Sequence, residues 1–438
     1  MQKYQVTNYI AFAIPFFFLF IFIELGLSAW LKRKTYRLND SVNDLTLGIY
    51  QQMIGIFYRG IFILLYIYIY ESMQSASAHL FTTTVDSTLA WVLSFLAVDF
   101  CYYWFHRTSH QVSVVWGSHE PHHSSEEYNL TVALRQGSLQ GVFSGWFYMP
   151  LAFLGVHPVI YLVCSQFNTI YQFWIHTRLI DKMWAPIEWI FNTPSHHRVH
   201  HGKNPKYIDK NHAGTLIIWD RLFKTFQAEE EEPVYGTVKP LASFNPFWAN
   251  IQYWLHLFKM TLKTRGLMNK LKIWFMKPGY KPADLGEMAP IPEVYADTYR
   301  KYDPQLSPVT SRYVLVNFIL VLPITLTVIF MGPGALSVSG GVLIACVLFS
   351  LLSLGWLMEG RKLAGDVEQI RLMLVASALI IWGIFTNNVF SVSMPALAVS
   401  LVLLFWFRQV KKQLPVFAAQ QIELDAAGHH PYIAAAGK

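Results

Sequence analysis

The chain has 438 residues, of which 53% are hydrophobic and 16% aromatic while only 14% are charged. Soluble globular chains carry about 25% charged residues, so this composition, with a mean hydropathy of +0.31, excludes an ordinary soluble enzyme and a disordered chain and leaves lipid as the solvent. The net charge of +7 does not point to nucleic acid, because the basic residues flank apolar runs and form no stripe on a recognition fold.

A membrane-spanning helix needs about 20 mainly apolar residues. The first such run, Tyr9 to Leu31, is interrupted only by Glu24 and is closed by Lys32-Arg33-Lys34, a stop-transfer flank and not a cleavage site. Further runs lie at roughly 47–71, 87–105, 139–156, 158–177, 311–331, 335–357, 369–387 and 389–407. The expected fold is an all-α polytopic membrane protein of about nine transmembrane or re-entrant helices. The fourth and fifth runs meet at a tight turn, His157-Pro158, and form either two spans or a re-entrant hairpin.

The connecting segments orient these helices. Residues 72–86, 332–340 and 387–392 contain no Lys or Arg, whereas 32–37, 106–138, 178–310, 358–371 and 408–412 contain nearly all of them. The two sets alternate across the runs, so the positive-inside rule places the N-terminus outside and the C-terminus and the whole histidine-rich region in the cytosol. The chain is expected to divide into a core over 1–240, a cytosolic amphipathic connection over 241–310, a four-helix bundle over 311–412 and a flexible tail over 413–438. His429 and His430 in that tail are read as incidental.

The chain holds 16 histidines, and 12 of them fall between His106 and His212. The cysteines, Cys101, Cys164 and Cys346, are scattered with no C-x-x-C, so any metal is held by nitrogen and oxygen. Three clusters stand out: His106 with His110, His119 with His122 and His123, and His197 with His200 and His201. On a helix, residues at i, i+3 and i+4 share a face, so each cluster aims its imidazoles in one direction. Together they suffice for two transition-metal ions, since imidazole suits Fe, Zn, Cu and Ni alike.

The first cluster sits where the third apolar helix leaves the membrane, in line with Asp99 and Tyr103. An aspartate in an apolar span is expensive and marks function by default; Asp99 either orients a histidine ligand or pairs with a neighbouring helix. Pro121 is expected in a first turn, so that His122 and His123 open a helix. The third cluster follows Asn192-Thr-Pro-Ser195 and ends at Gly202, a plausible start and stop for a short helix. His176, at the cytosolic end of the fifth run, is a candidate ninth ligand. His196 points away from its neighbours, and His79, His157 and His256 are read as structural. Arg59, inside the second run, lines the polar end of a substrate channel, binds a lipid head group, snorkels, or pairs with a carboxylate such as Glu24.

Order and context of these motifs resemble the fatty acid hydroxylase and sterol desaturase superfamily of membrane di-iron proteins. Residues 119–136 (HEPHHSSEEYNLTVALRQ), 192–204 (NTPSHHRVHHGKN) and 208–226 (IDKNHAGTLIIWDRLFKTF) are similar to its ether-lipid-cleaving, tetrahydrobiopterin-dependent branch. The resemblance implies two Fe ions held by His106, His110, His119, His122, His123, His197, His200 and His201, with the family's His-Thr pair falling on His176-Thr177. It also makes Glu126, Glu127, Arg135, Asp220, Asn211 and His212 candidates for supporting roles. Two positions depart from the family pattern: Gln111 stands where glutamate is usual, and Asn211-His212-Ala213 replaces an Asn-Tyr-Gly or Asn-Tyr-Ala, so that His212 either adds a ligand or swaps one ring for another.

What the resemblance implies chemically is O2-dependent oxygen insertion at the ether carbon of an alkylglycerol lipid, with tetrahydrobiopterin as reductant. The sequence has no G-x-G-x-x-G for a flavin or nicotinamide and no C-x-x-C-H for haem, so electrons come from a diffusible donor or from a partner protein. Two rival readings stay open. One is a hydroxylase or desaturase of a sterol, carotenoid or fatty acyl lipid fed by a protein electron donor; the other is a polytopic metal transporter. The expected location is the inner membrane of a bacterium or the endoplasmic reticulum of a eukaryote.

Overall fold

A computed structural model of the chain describes residues 4, 6–79, 83–286, 288 and 290–426. Among the described residues the regular elements are helices, and one isolated antiparallel bridge joins Gly202 to Tyr235. In chain order the α-helices are α1 (Tyr9–Trp30), α2 (Leu38–Gly55), α3 (Arg59–Ser75), α4 (Thr88–Gln111), α5 (Ser113–His123), α6 (Gln140–Leu154), α7 (Pro158–Trp174) and α8 (Ala185–Ile190). They continue as α9 (Pro194–His200), α10 (Ile218–Leu222), α11 (Pro246–Lys263), α12 (Leu267–Phe275), α13 (Pro308–Phe330), α14 (Val338–Met358), α15 (Ala364–Phe385) and α16 (Met394–Ala426).

Six of these segments are long and apolar enough to cross a membrane: α1, α4, α13, α14, α15 and Val389–Leu414, with α2 and α3 together making a seventh if they count as one broken span. The protein is therefore an all-α integral membrane protein, and six or seven of the expected transmembrane or re-entrant helices meet that test among the described residues. The other two runs form shorter helices, α6 with 15 residues and α7 with 17, at the lower end of what a hydrocarbon core of about 30 Å needs. A three-residue turn, Gly155 to His157, joins them, and both pack on α4. Gly155 ends α6 at φ +94, a backbone region that costs glycine little, and the His157 side chain caps α7 by accepting from the Val159 N–H, ahead of Pro158 at the first helical position. His157 is thus structural.

The chain forms two compact units, one of residues 1–37, 58–238 and 250–299, the other of 38–57, 239–249 and 300–438. In the first, α4 packs on α6 and α7 around Tyr66, Val98, Leu151 and Ile160, all buried. In the second, α2 joins the C-terminal helices, because its Val42 and Met53 complete a core with Tyr313, Phe318, Val347, Leu351 and Phe407. Asn43 on α2 donates to the Phe244 carbonyl at 2.8 Å. The C-terminal helix runs past Lys412 to Ala426; residues 427–438, with His429 and His430, lie outside the described residues.

Candidate metal centre

The first unit positions every histidine of the three clusters. Helix α4 continues unbroken through Gln111, so His106 and His110 share its last turns. Extended Val112 ends α4 and α5 starts at once. Contrary to the sequence expectation, Pro121 lies in the last turn of α5, not the first, and His119, His122 and His123 close that helix instead of opening one. Side chains from outside satisfy the end of this helix. Arg135 donates from Nε to the Pro121 carbonyl at 2.5 Å and from a guanidinium nitrogen to Ser124 Oγ at 2.7 Å. Gly137 allows the same loop to approach: a Cβ there would stand 1.8 Å from the Ser118 carbonyl oxygen. The third cluster forms the expected short helix, α9, with Thr193 as N-cap in a capping box with His196 and Pro194 at the first turn.

Nine buried imidazoles converge into two sets. His106, His110, His119, His123 and His200 form one, and His122, His176, His197 and His201 form the other, the ligand atoms within each set lying within 4.8 Å of one another. All nine candidate ligands are thereby brought together, His176 included, whereas His196 turns away to Glu188 at 3.0 Å. Within each H-x2-H-H cluster the three rings do not aim one way. Helical residues step by about 100°, so i and i+4 differ by only about 40° while i+3 lies about 60° to the other side. Accordingly His119 and His123 serve one set and His122 the other; His197 and His201 serve one and His200 the other. Each short helix feeds both sets, and the sets abut through His123 and His201, whose rings stack at 4.4 Å.

The protonation pattern follows from the partners of the outer ring nitrogens. A carbonyl can only accept, so a ring nitrogen facing one carries the hydrogen. Nδ1 of His106 donates to the His212 carbonyl at 2.8 Å, that of His122 to Arg135 at 2.7 Å, that of His176 to Gln172 at 2.7 Å and that of His200 to Lys210 at 2.9 Å. His119 Nδ1 pairs with Gln140 Oε1 at 2.8 Å. The Nε2 atoms are therefore bare lone pairs turned inward. His106 and His119 face each other Nε2 to Nε2 at 2.9 Å, an arrangement that repels unless a cation stands between them. The Nε2 atoms of His110, His200 and His201 are buried without a partner. Five fixed Nδ1–H groups and inward lone pairs are what metal-bound histidines require, and an all-imidazole donor set suits borderline transition metals and not Ca2+ or Mg2+.

Burial, followed by repulsion from neighbouring imidazoles, holds His122, His123, His197 and His201 well below the ordinary histidine range. Burial alone pushes His119 and His176 down to about 4, against their hydrogen bonds to Gln140 and Gln172. A neutral ring is the form that binds metal. The folded pKa values lie below 6.5, so the unfolded chain binds more protons once the pH falls past that value. Stability and metal retention are expected to be full above pH 6.5 and to fall between pH 6.5 and about 4, by up to ~1.4 kcal/mol per pH unit for each histidine. Retained metal and thermal midpoint, followed from pH 7.5 to 4.5, check this; flat profiles would refute it.

The structure gives each supporting candidate a defined set of partners. Asp99 does not orient a histidine: it accepts from the Thr215 and Leu216 N–H groups, from Trp219 Nε1 and from Asn168 Nδ2, bracing the 215–219 segment. Tyr103 lies away from both sets and pairs with Thr225 at 3.0 Å, which donates to Asp220 at 2.6 Å. Asp220 in turn accepts the N–H groups of His212 and Ala213, both at 2.8 Å, fixing the carbonyl that receives His106. Asn211 Nδ2 donates to the His196 and Gln227 carbonyls. Glu126 meets Tyr299, and Glu127 meets Arg37 at 3.0 Å. Glu24 is occupied by Tyr36, Leu130 and Thr177, so it is not the partner of Arg59, which bonds to Tyr58 instead.

Comparison with known proteins decides the family. The fatty acid hydroxylase family model matches residues 91–225. Alkylglycerol monooxygenase of Xenopus tropicalis is 40% identical over 377 residues, covering 84% of this chain and 82% of that protein. The human alkylglycerol monooxygenase is 40% identical over 375 residues, again 84% and 82%. The chain belongs to the alkylglycerol monooxygenase family. As a family member it is a monooxygenase, an oxidoreductase, which removes the transporter reading. A more distant relative, ornithine lipid hydroxylase OlsE of Rhizobium tropici, is 29% identical over 136 residues, 31% of this chain and 41% of that protein. No solved structure matches the chain.

Within this alkylglycerol monooxygenase family member, two of the sequence departures have defined places. Gln111 closes α4. His212 is fully buried beside the five-histidine set, 5.1 Å from the His110 ring, with Nε2 donating to the Asp209 carbonyl. Gln140 carries no sequence signal beyond being a polar residue at the head of an apolar helix. Gln140→Leu removes the group that holds the His119 tautomer and is expected to weaken metal binding by about 10–100-fold, read by chelator competition.

Proposed function

We propose that the protein holds two iron ions in the two histidine sets and oxidises the ether carbon of 1-O-alkylglycerol lipids. The observation that carries this reading is the pair of buried all-histidine sets in a chain 40% identical to alkylglycerol monooxygenases. Iron bound there supplies the O2 chemistry that side chains cannot provide. The protein's own residues do the rest: the carbonyls of Gln172, Arg135, Lys210 and His212 and the side chain of Gln140 hold the rings, and the buried shell excludes water. Hydroxylation at the ether carbon yields a hemiacetal that separates into a fatty aldehyde and a glycerol compound. Tetrahydrobiopterin fits as the diffusible reductant, since the sequence carries no motif for a bound redox cofactor.

Arg59 is assigned to the polar end of the substrate channel, because Tyr58, its hydrogen-bond partner, donates to the Ser138 carbonyl at 2.8 Å beside Gln140. Charge distribution supports a cytosolic site. The likeness to OlsE favours a second reading, hydroxylation of another polar lipid with electrons from a protein donor. Membranes holding the protein, given a fluorescent alkylglycerol, O2 and tetrahydrobiopterin, are expected to release fatty aldehyde. Full iron loading without pterin-dependent aldehyde would overturn the first reading in favour of the second.

A further inference from the structure

Between residues 250 and 283 the chain has no Asp or Glu, and this stretch forms most of α11 and all of α12. The two helices are tied by Trp274 Nε1 donating to Thr261 Oγ1 at 2.9 Å. Each buries one side, through Leu257 and Ile273, and leaves another bare. On α12 the exposed residues Leu267 (75%), Met268 (64%), Leu271 and Phe275 fall within an arc of about 100°, with Lys270 and Lys272 on its two flanks. On α11 Phe258 and Leu262 are exposed, with Lys259 and Lys263 beside them. None of these four lysines meets a carboxylate among the described residues.

The depth of this hairpin is fixed by a membrane span. Helix α4 has 24 residues, about 36 Å, so its last turn emerges from a hydrocarbon core of about 30 Å. Two residues further on, Ser113 donates from both its N–H and its Oγ to the Met276 carbonyl, each at 2.9 Å. Trp254 Nε1 donates to the Val114 carbonyl at 2.8 Å. The end of α12 is therefore held where α4 meets the headgroup layer. An apolar arc flanked by lysines at that depth has the chemistry of an interfacial helix on an anionic lipid surface.

We propose that the α11–α12 hairpin is a membrane-surface anchor, its apolar arc sunk to the headgroup–acyl boundary and Lys259, Lys263, Lys270 and Lys272 set on the phosphates of anionic phospholipids. The anchor bears on the histidine sets through α5. Gln252 donates to both Glu120 oxygens at 2.7 and 2.6 Å, one residue from His119. Gly117 lies against the Trp254 indole so closely that a Cβ would stand 2.3 Å from its Nε1.

The test uses the full chain in nanodiscs of phosphatidylcholine alone and of an equimolar mixture with phosphatidylglycerol. A nitroxide on Leu271→Cys is compared with one on Glu230→Cys, an exposed position of the acidic run, with unlabelled protein carried through labelling as the blank for Cys101, Cys164 and Cys346. The label at 271 is expected to be severalfold more accessible to O2 than to a water-soluble nickel chelate, relative to 230, and more so in the mixed discs. Changing the four lysines to glutamate removes that increase; if the protein then fails to retain iron, glutamine replacements serve instead. Nickel access at 271 equal to that at 230 overturns the proposal. So does a label shielded from both reagents, which would mean a second chain or a protein partner covers the face, and so does identical behaviour in the two lipids.

Discussion

Replacing His200 by alanine is expected to abolish lipid oxidation and to strip metal from one histidine set while leaving the other loaded. His200 belongs to the five-histidine set, its Nδ1 is committed to the Lys210 carbonyl at 2.9 Å and its Nε2 is buried with no partner. Loss of an inward lone pair costs more than loss of an outer partner, itself worth about 10–100-fold in metal affinity or activity. His197→Ala, three residues away on the same helix, is expected to abolish activity by emptying the other set. His196→Ala supplies the contrast, since it removes the capping-box partner of Thr193 and the contact with Glu188 but no candidate ligand, and leaves metal content intact. Metal analysis beside turnover separates the three; a His200→Ala protein with both ions and full activity would sink the assignment.

The histidine spacing made the site legible because i, i+3 and i+4 positions need only a helix to bring them near one another. It did not show that the i+3 ring serves a different set from the i and i+4 rings. That division depends on two short helices, α5 and α9, meeting so that His122 joins His197 and His201, a tertiary fact. Pro121 misled for a similar reason: the proline rule weighs the lost N–H, whereas Arg135, fourteen residues on, repairs the helix end from outside. Asp99 announced itself as an aspartate in an apolar span, yet its partners are backbone N–H groups of residues 215 and 216, which no local pattern could identify. Runs 139–156 and 158–177 read as apolar enough to span, but their turns and caps consume residues at the ends and leave helices of 15 and 17 residues, at the lower end of the spanning range.

Arg371→Met is expected to destabilise the C-terminal unit by about 3–5 kcal/mol. Arg371 and Glu368 form a fully buried i, i+3 pair on α15, with exposures of 5% and 0%. Three helices satisfy it: Tyr313 on α13 and Ser353 on α14 donate to the carboxylate, and Arg371 donates to Asn317 Oδ1 at 2.7 Å. Removing the guanidinium leaves a carboxylate without its counter-charge inside the bundle, which costs far more than the intact pair contributes. Glu368→Gln placed on top of Arg371→Met removes that charge and is expected to recover most of the loss, because a buried ion pair is often replaceable by neutral groups at little net cost. For a unit of this size the single change corresponds to a fall in thermal midpoint on the order of 10 °C, read by tryptophan fluorescence in detergent. Since no histidine of either set lies in this unit, oxidation per bound iron is expected to stay unchanged in whatever fraction remains folded. A single variant as stable as the parent would show that the pair is dispensable, and the three-helix clamp with it.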